Sequence, residues 1–534
     1  MKSIRQFLLR PWLYLVIVII GISLKFYHIE SKYFWYDEIE TIMHTSGISD
    51  RDYYQLISVN EVKNISYYHD LLHLNTQNYT IRSQLEGLFS MPQLAPLHHA
   101  LLIFWHRIAG DDYVHYRLFN VFIFIVTLPF IFLLCKALFQ SNLAGWTAVS
   151  LFSVSPFFNI FTQEARYYIL WAFFLIVLNY FFLNGINRKK IKWWIAYSII
   201  GILAMYTTLL SVIMIFGHLA FIWFRKKEFR LTYSINLAII FLAYLPWIIS
   251  LFHFQKDVVG STNWMMNPGK TTFWVPLIGQ CLGLPHLFTY LEDNVNYFFW
   301  FFHKIPSINE LVLSFIFSVI ILAFIVTSIV YVLRKISREI KYFLVLTILP
   351  GMLFFYIYDI IRNSLVSYVW RYHTLTFIGI LILVACYLSI KISKGKIFFS
   401  FIYLGLIALS SISILKITSN RCHLHMSDCQ QCIDATHLFS NATHPLIVTD
   451  YTAFGGIGKF FELMAECDSE NLDILRVWND IDYAVDLIED KEYSEIYIVY
   501  ASDRILQDLS LQFGERLVLI KPGGLTPLWQ IRYP

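Results

Sequence analysis

The sequence predicts a mainly α, polytopic membrane protein with about eleven transmembrane helices, outward-facing juxtamembrane helices and a small C-terminal α/β domain. Three observations predict it. Of 534 residues, 57% are hydrophobic and only 15% are charged, well below the roughly 25% charged of soluble domains. Eleven apolar segments approach the roughly 20 residues that a helix needs to cross a bilayer. After residue 417 the membrane composition ends, and short apolar runs begin to alternate with helix-like stretches.

The first segment, residues 11 to 29, follows a basic start and lacks a small-residue cleavage site. It reads as a retained first span with a cytoplasmic N-terminus. The others cover residues 115 to 135, 143 to 160, 165 to 184, 193 to 208, 209 to 224, 232 to 252, 310 to 333, 341 to 360, 369 to 390 and 397 to 417. With the N-terminus inside, the clusters Arg188-Lys189-Lys190, Arg225-Lys226-Lys227, Arg334-Lys335 with Arg338, and Lys391 with Lys394 and Lys396 all fall inside, as basic loops do. The odd number of spans puts the C-terminus outside.

The same bookkeeping keeps two further apolar stretches from crossing. Residues 94 to 108, carrying His98, His99 and His106, suit an interfacial helix. Residues 273 to 291, interrupted by Pro276 and Pro285, suit an irregular segment packed against protein. Residues 1–417 then form the membrane domain, with outer loops 30–114 and 253–309, and residues 418–534 an outward-facing domain. In the latter, runs at 446 to 448, 472 to 475, 496 to 500 and 517 to 520 read as strands, and 454 to 465 and 481 to 489 as helices. Strands alternating with helices predict a mostly parallel sheet.

The net charge of +4 is small and dispersed, which argues against nucleic acid as a partner. No fixed-period repeat, low-complexity tract or Gly-rich phosphate loop is present. Four of the seven cysteines, Cys422, Cys429, Cys432 and Cys467, fall in the terminal region. Together with His423 and His425 they have a metal-like look, but an outward-facing region is oxidising and two disulfides are expected. Asn64-Ile65-Ser66, Asn78-Tyr79-Thr80 and Asn441-Ala442-Thr443 fit the glycosylation sequon.

Candidate chemistry gathers on the outer face. Phe34-Trp35-Tyr36-Asp37-Glu38-Ile39-Glu40 places three acids just beyond the first span. A carboxylate beside hydrocarbon is partly desolvated and suited to general-base work; the plainer alternative is a headgroup-level acid in the first turn of a surface helix. Gln163-Glu164-Ala165-Arg166-Tyr167-Tyr168 lies at an outward connection, where Arg166 can grip a phosphate oxygen or serve as an interfacial anchor. Trp370-Arg371-Tyr372-His373 opens another span from the same face, with the same two readings. Acids and arginines recurring on one face are what an anionic, lipid-linked substrate requires.

The order of these motifs resembles that of the GT-C polyprenyl-phosphate-sugar glycosyltransferases, the protein O-mannosyltransferase and aminoarabinose transferase relatives, including a bacterial branch that modifies glycans or lipids. Tyr36-Asp37-Glu38 is similar to the family's acidic pair after the first span. Leu94-Ala95-Pro96-Leu97-His98-His99-Ala100-Leu101-Leu102 resembles a His-Pro-Pro-Leu-Tyr-Tyr-Leu-Leu-Leu pattern, keeping only the second proline. Tyr116-Arg117-Leu118-Phe119 echoes an Arg-Leu that opens the next span. Ser155-Pro156-Phe157-Phe158 followed by Gln163-Glu164-Ala165-Arg166-Tyr167-Tyr168 resembles a Ser-Pro and Gln-Glu-Ala-Arg-Met-Tyr element almost residue for residue, and Arg371-Tyr372 an Arg-Tyr that opens a late span.

The resemblance implies a GT-C-like fold and an inverting transfer from a polyprenyl-phosphate sugar to a glycan, lipid or protein, at the outer face of a bacterial inner or plasma membrane. It implies Asp37 as the acid that deprotonates the acceptor, with Glu38 supporting it. Glu164, Arg166, Tyr167, Arg371, Tyr372 and His98 would bind substrate, with Arg371 on the donor phosphate. Glu40 has no counterpart and stays outside the site. It implies no particular cofactor, and a divalent cation is left open. Two other classes stay in view. A transporter or flippase would carry ionisable groups near mid-bilayer, whereas here the acids gather at the outer boundary; a non-catalytic scaffold would be indifferent to loss of Asp37.

Overall fold

The computed structural model describes residues 10–48, 61–72, 80–89, 96–110, 112–254, 272–289, 308–422, 429–450, 456–467, 469–477, 481–489, 492–521 and 527–532, with 53, 56, 57, 91, 265 and 266. The sequon at Asn78, His423, His425, the start of the Pro96 motif and much of the 253–309 loop lie outside the described residues.

All eleven expected spans are helical among the described residues. Seven helices are long and apolar enough to cross a membrane: Tyr113–Phe139, Tyr168–Arg188, Lys227–His253, Phe315–Lys335, Arg338–Arg362, Trp370–Ser393 and Ile397–Ser419. Pro11–Phe26, Ile191–Thr207 and Ser211–Arg225 are apolar but shorter. The segment expected at 143 to 160 is a pair, Asn142–Ser153 and Pro156–Thr162, bent by 59°. The break follows from Ser155-Pro156: proline fits the first turn of a new helix, and its ring pushes the residue before it out of helical conformation, so Ser155 is extended. The protein is an integral membrane protein.

Two spans form the centre of the bundle. In Trp370–Ser393 and Tyr168–Arg188, 89% and 78% of the apolar window is buried, against 22% in Phe315–Lys335 and 28% in Arg338–Arg362. A helix apolar all round belongs inside or in lipid, and protein covers these two. Where the helices Ser211–Arg225 and Arg338–Arg362 touch, a Cβ on Gly217 would come within 2.3 Å of the Leu346 carbonyl, so only glycine permits the approach.

Two interfacial expectations have the form described. Pro96–Ala109 is a helix that buries His98, His99 and His106 and leaves Ile108 exposed. The described part of the second stretch, residues 273 to 289, breaks into the helix Trp274–Gly283 and a 3-10 turn, Leu284–Leu287, which holds Pro285.

The terminal region carries a six-stranded sheet in the order β1-β3-β2-β4-β6-β5, with β1 Val62–Asn64, β2 Pro445–Thr449, β3 Asp473–Arg476, β4 Glu495–Ile498, β5 Leu517–Lys521 and β6 Leu528–Ile531. Two expectations change. The sheet is mixed: only the β2–β3 and β2–β4 pairs are parallel, and three pairs are antiparallel. One edge strand, β1, comes from the loop after the first span. Period-two alternation divides β2 between two cores. Ile447 belongs to the core that continues into the membrane bundle, while Leu446 and Val448 pack with the helices Asp482–Glu489 and Asp503–Phe513.

The cysteines correct a third expectation. One disulfide joins Cys422 to Cys429, and Cys432 and Cys467 are buried thiols. Cys432 is one turn along the helix that Cys429 starts, with its sulfur packed against the Tyr500 hydroxyl at 3.6 Å. Asn64 of the first sequon donates to the Glu470 and Leu472 carbonyls, which ties its amide into the β1–β3 edge.

Candidate active site

The chain leaving the first span runs through residues 27–35 and enters the helix Tyr36–Thr45, so Asp37 and Glu38 occupy its first turn, where the helix dipole favours negative charge. These adjacent acids have separate environments. Glu38 is fully buried against Arg117, whose Nε and Nη2 donate to its two oxygens at 2.8 and 2.7 Å. Arg117 also donates to the carbonyls of Ile29, Lys32 and Tyr33 at 2.8, 2.9 and 3.1 Å. Its five N–H groups are all spent, which is as much as a guanidinium can do, and its plane lies 3.7 Å from the Phe34 ring centre.

Glu38, expected to support Asp37, has its carboxylate paired with Arg117. It orients the loop, and it accepts a further bond from the Ala165 amide at 2.7 Å, which ties the loop to the Gln163-to-Tyr168 turn. Arg117 is the residue that sequence reasoning passed over. Its signal was a lone arginine opening an apolar segment, where charge is retained only if something meets it.

Asp37 points the other way, toward two arginines. Its Oδ2 is 3.4 Å from Arg371 Nη1 and 3.6 Å from Arg166 Nη2, and all three side chains stay 13 to 17% accessible. These are ion pairs longer than direct hydrogen bonds. Arg166 is aimed by its other contacts, Nη1 donating to the Asp37 carbonyl at 2.7 Å and to the Thr41 hydroxyl at 3.1 Å. Arg166 precedes the span Tyr168–Arg188 and Arg371 lies in the first turn of Trp370–Ser393. The two arginines thus stand at the same ends of the two most buried spans.

Aromatic rings wall this pair. Trp35, Tyr168 and Tyr372 lie with ring centres 5.7, 5.8 and 5.8 Å from the Arg371 guanidinium carbon, and Tyr167 lies 5.9 Å from that of Arg166, within cation–π range. Burial pushes the Tyr167 hydroxyl up to about 12. Tyr167 and Tyr372, expected to bind substrate, lie beside the arginines, as does Tyr168, which had no assigned role.

The turn that carries Arg166 is held from behind. The Asn120 amide donates to the Arg166 carbonyl at 2.7 Å and to that of Glu164, and His98 Nε2 pairs with Asn120 Oδ1 at 3.4 Å. Burial pushes His98 down to about 3, so the ring is neutral, and it sits behind the turn rather than at an accessible surface. Gln163 closes the end of the first helix, donating to the Lys25 and Tyr27 carbonyls at 3.1 and 2.9 Å.

Glu164 is buried. Burial, and then the negative charge of Glu38, hold its carboxyl well above the usual glutamate range, with Arg371 acting against both. Glu40 lies one turn beyond Asp37, and burial raises its carboxyl while Asp37 and Arg166 act on it from nearby. It is closer to the arginines than its exclusion from the site anticipated. Among the described residues no three His, Cys, Asp or Glu side chains are grouped to hold a metal ion, and no step below is routed through one.

The same end of the bundle meets the sheet-bearing region. The Tyr33 amide donates to the Arg421 carbonyl at 2.9 Å, Lys32 Nζ to the Ile417 and Cys422 carbonyls at 2.6 and 3.4 Å, and the Phe34 amide to Glu466 at 3.1 Å. Residues 32–34, which lead into Asp37, are therefore gripped by the last span and by the helix Gly456–Ala465.

Comparison with known proteins bears on the fold. Residues 93–250 match the family model of dolichyl-phosphate-mannose-protein mannosyltransferase. No curated protein matches the chain in sequence. ArnT from Cupriavidus metallidurans, solved bound to undecaprenyl phosphate, superposes with a TM-score of 0.55 at 11% identity, over 98% of this chain and 98% of that one. Its apo structure gives 0.52 at 12% identity over the same shares. The archaeal oligosaccharyltransferase AglB from Archaeoglobus fulgidus covers 91% of this chain and 69% of its own, at 12% identity and a TM-score of 0.47. The resemblance drawn from the motifs is thus met by the mannosyltransferase model over residues 93–250 and by the fold over nearly the whole chain: this is a polytopic membrane protein with a fold like that of ArnT.

Proposed function

We propose that this protein is a membrane glycosyltransferase that moves a sugar from a polyprenyl phosphate to an acceptor hydroxyl, with inversion at the anomeric carbon. The observation that carries the reading is Asp37 held between Arg166 and Arg371 at the ends of the two central spans. Two guanidinium groups beside one accessible carboxylate suit a phosphate monoanion next to a base.

In the reaction the acceptor oxygen attacks the anomeric carbon as its proton passes to Asp37. The bond from that carbon to the phosphate oxygen breaks with its electron pair, and the lipid phosphate leaves. Arg371, assisted by Arg166, meets the charge developing on the phosphate, which stabilises the transition state where charge appears. Glu38 and Arg117 take no part in the chemistry; they hold Asp37 in place. Glu164 is buried beside the same arginines, and burial raises its proton affinity, which weakens the repulsion it would offer a phosphate. The prenyl chain packs between apolar helices, at about 0.8 kcal/mol per buried methylene.

The basic loops favour the outer side of the membrane for this end of the bundle, and the aminoarabinose-transferase likeness favours a bacterial inner membrane. ArnT is the relative solved with undecaprenyl phosphate, which makes that lipid the first carrier to test. Purified protein in nanodiscs, given undecaprenyl-phosphate sugars, is expected to release undecaprenyl phosphate when an acceptor is present. Mass spectrometry of envelope lipids, glycans and proteins with and without the chain identifies the sugar and acceptor. Movement of lipid-linked sugar across the bilayer with no new glycosidic bond would establish a flippase instead.

A further inference from the structure

Arg371 is not placed by its own helix. It lies in a 3-10 turn, Trp370–His373, that follows a second such turn, Val366–Tyr368, after the helix Arg338–Arg362 has ended. The chain therefore reverses between two spans in few residues, and whatever shapes residues 363–369 decides where the guanidinium points.

Asp359 shapes them. It is fully buried although it sits near the end of a largely lipid-facing span, and an acid at that depth needs an explanation. Its Oδ1 accepts from the Ser364 hydroxyl at 2.6 Å and from the Val366 amide at 2.8 Å, and its Oδ2 accepts from the Ser367 amide at 2.9 Å. Its carbonyl accepts from the Ser364 amide at 3.2 Å, beside Asn363 in the left-handed region at φ 49°. The ion pairs described do not include it; its partners are hydroxyl and backbone donors.

The fold passes that anchor on to Arg371. The Val369 amide donates to the Val366 carbonyl and the Tyr372 amide to the Val369 carbonyl, at 2.9 and 3.0 Å. His373 Nε2 pairs with the Ser367 carbonyl at 3.1 Å, so both residues following Arg371 are bonded back to the loop. On the other side, Trp370 Nε1 donates to the Gly279 carbonyl at 3.1 Å and its ring lies 4.2 Å from that of His286.

We infer that Asp359 is a positioning residue for the anion site: its carboxylate folds residues 363–369 so that the Arg371 guanidinium faces Asp37. This rests on the proposed reading of Arg371 as a lipid-phosphate contact, but the placement of the side chain can be tested without it.

Two readouts on purified protein test the inference. Binding of undecaprenyl phosphate is measured for wild type, Asp359→Asn, Arg371→Ala and the double variant, with neutral undecaprenol as control. Losing a charged hydrogen-bonded contact costs on the order of tenfold or more in affinity. Asp359→Asn is expected to weaken phosphate binding on that order, to leave undecaprenol binding unchanged, and to add nothing in the double variant, the non-additivity of residues acting through one another. Additive losses, or wild-type binding by Asp359→Asn, would overturn it.

The second readout is the rate at which phenylglyoxal modifies Arg371, followed by mass spectrometry. Faster modification in Asp359→Asn supports displacement of the guanidinium; an unchanged rate overturns it. If Arg371→Ala binds the lipid phosphate normally, the donor-site reading fails, while the modification rate still decides the role of Asp359. Ser364→Ala removes one of the three side-chain bonds and carries both readouts if Asp359→Asn does not fold; a smaller shift in the same directions is expected, and no shift in either readout overturns the inference.

Discussion

On one wall of the site a cation holds the backbone; on the opposite wall an anion does. Arg117 collects the carbonyls of residues 29, 32 and 33 together with the Glu38 carboxylate, whereas Asp359 collects the amides of residues 366 and 367 and one hydroxyl. The first is a buried ion pair with its remaining donors on backbone; the second is a buried carboxylate met, among the described residues, by dipoles. What differs is what stays behind when the organiser is removed. Without Arg117 a buried glutamate loses its counter-charge, while without Asp359 two amides and a hydroxyl lose an acceptor. The walls should therefore fail differently, the first through folding and the second through geometry.

The largest expected effect separates chemistry from both walls. Asp37→Asn should lower transfer by about 10²- to 10⁴-fold, the usual worth of a general base, with the melting temperature unchanged, since Asp37 holds neither wall. Full activity in the folded variant would remove Asp37 from its role.

Next is the first wall. Arg117→Ala should destabilise the protein by about 3–5 kcal/mol, the cost of stranding one member of a buried pair, read as a lower melting temperature in detergent and lower yield. A loss under about 1 kcal/mol, the range of exposed pairs, would erase the contrast between the walls.

The second wall can be pressed without touching a charge. A Cβ on Gly283 would lie 2.6 Å from Trp370 Cδ1, and overpacking costs about 1–3 kcal/mol. Gly283→Ala should therefore shift the Trp370-Arg371 turn and reduce transfer more than its modest stability loss accounts for. Transfer falling only in step with folded protein would show that this wall tolerates displacement.

The smallest effect is a pH dependence. Burial raises the Glu164 carboxyl above the ordinary glutamate range, so the folded state binds its proton more tightly than the unfolded one. The associated stability is complete below the unfolded-state value and is lost as pH rises through the folded-state value. Glu164→Gln should abolish that loss, so the melting temperature of the variant relative to wild type should climb as pH rises above the glutamate range. A difference independent of pH would contradict the raised carboxyl.

Much of this architecture was legible in the chain. Spans were readable because about 20 apolar residues are a one-dimensional requirement; the break at Ser155-Pro156 was not read, and residues 143 to 160 were taken as one span although proline acts on its immediate neighbour. Asp37, Arg166 and Arg371 could be named because charge at the edge of hydrocarbon is rarely idle. The separate tasks of Asp37 and Glu38 could not be read, since adjacent acids in one first turn look alike until something 79 residues away selects between them. The edge strand β1 was hidden for a similar reason: three residues carry almost no periodic signal, and their partner lies in β3 at the far end of the chain.

By itself, then, the sequence determined that the chain lives in a membrane, which segments are helical, and that acids and arginines, Asp37, Glu38, Glu164, Arg166 and Arg371 among them, recur at the ends of its apolar segments. Only the tertiary structure decided which acid is available, which arginine is spent on backbone, and that Arg117 and Asp359 stand behind the site. The reason is physical. Partition into a membrane and helix formation are sums over neighbouring residues, whereas the task of a buried charge is set by the partner that compensates it, and here that partner comes from another span or from across a reversal of the chain.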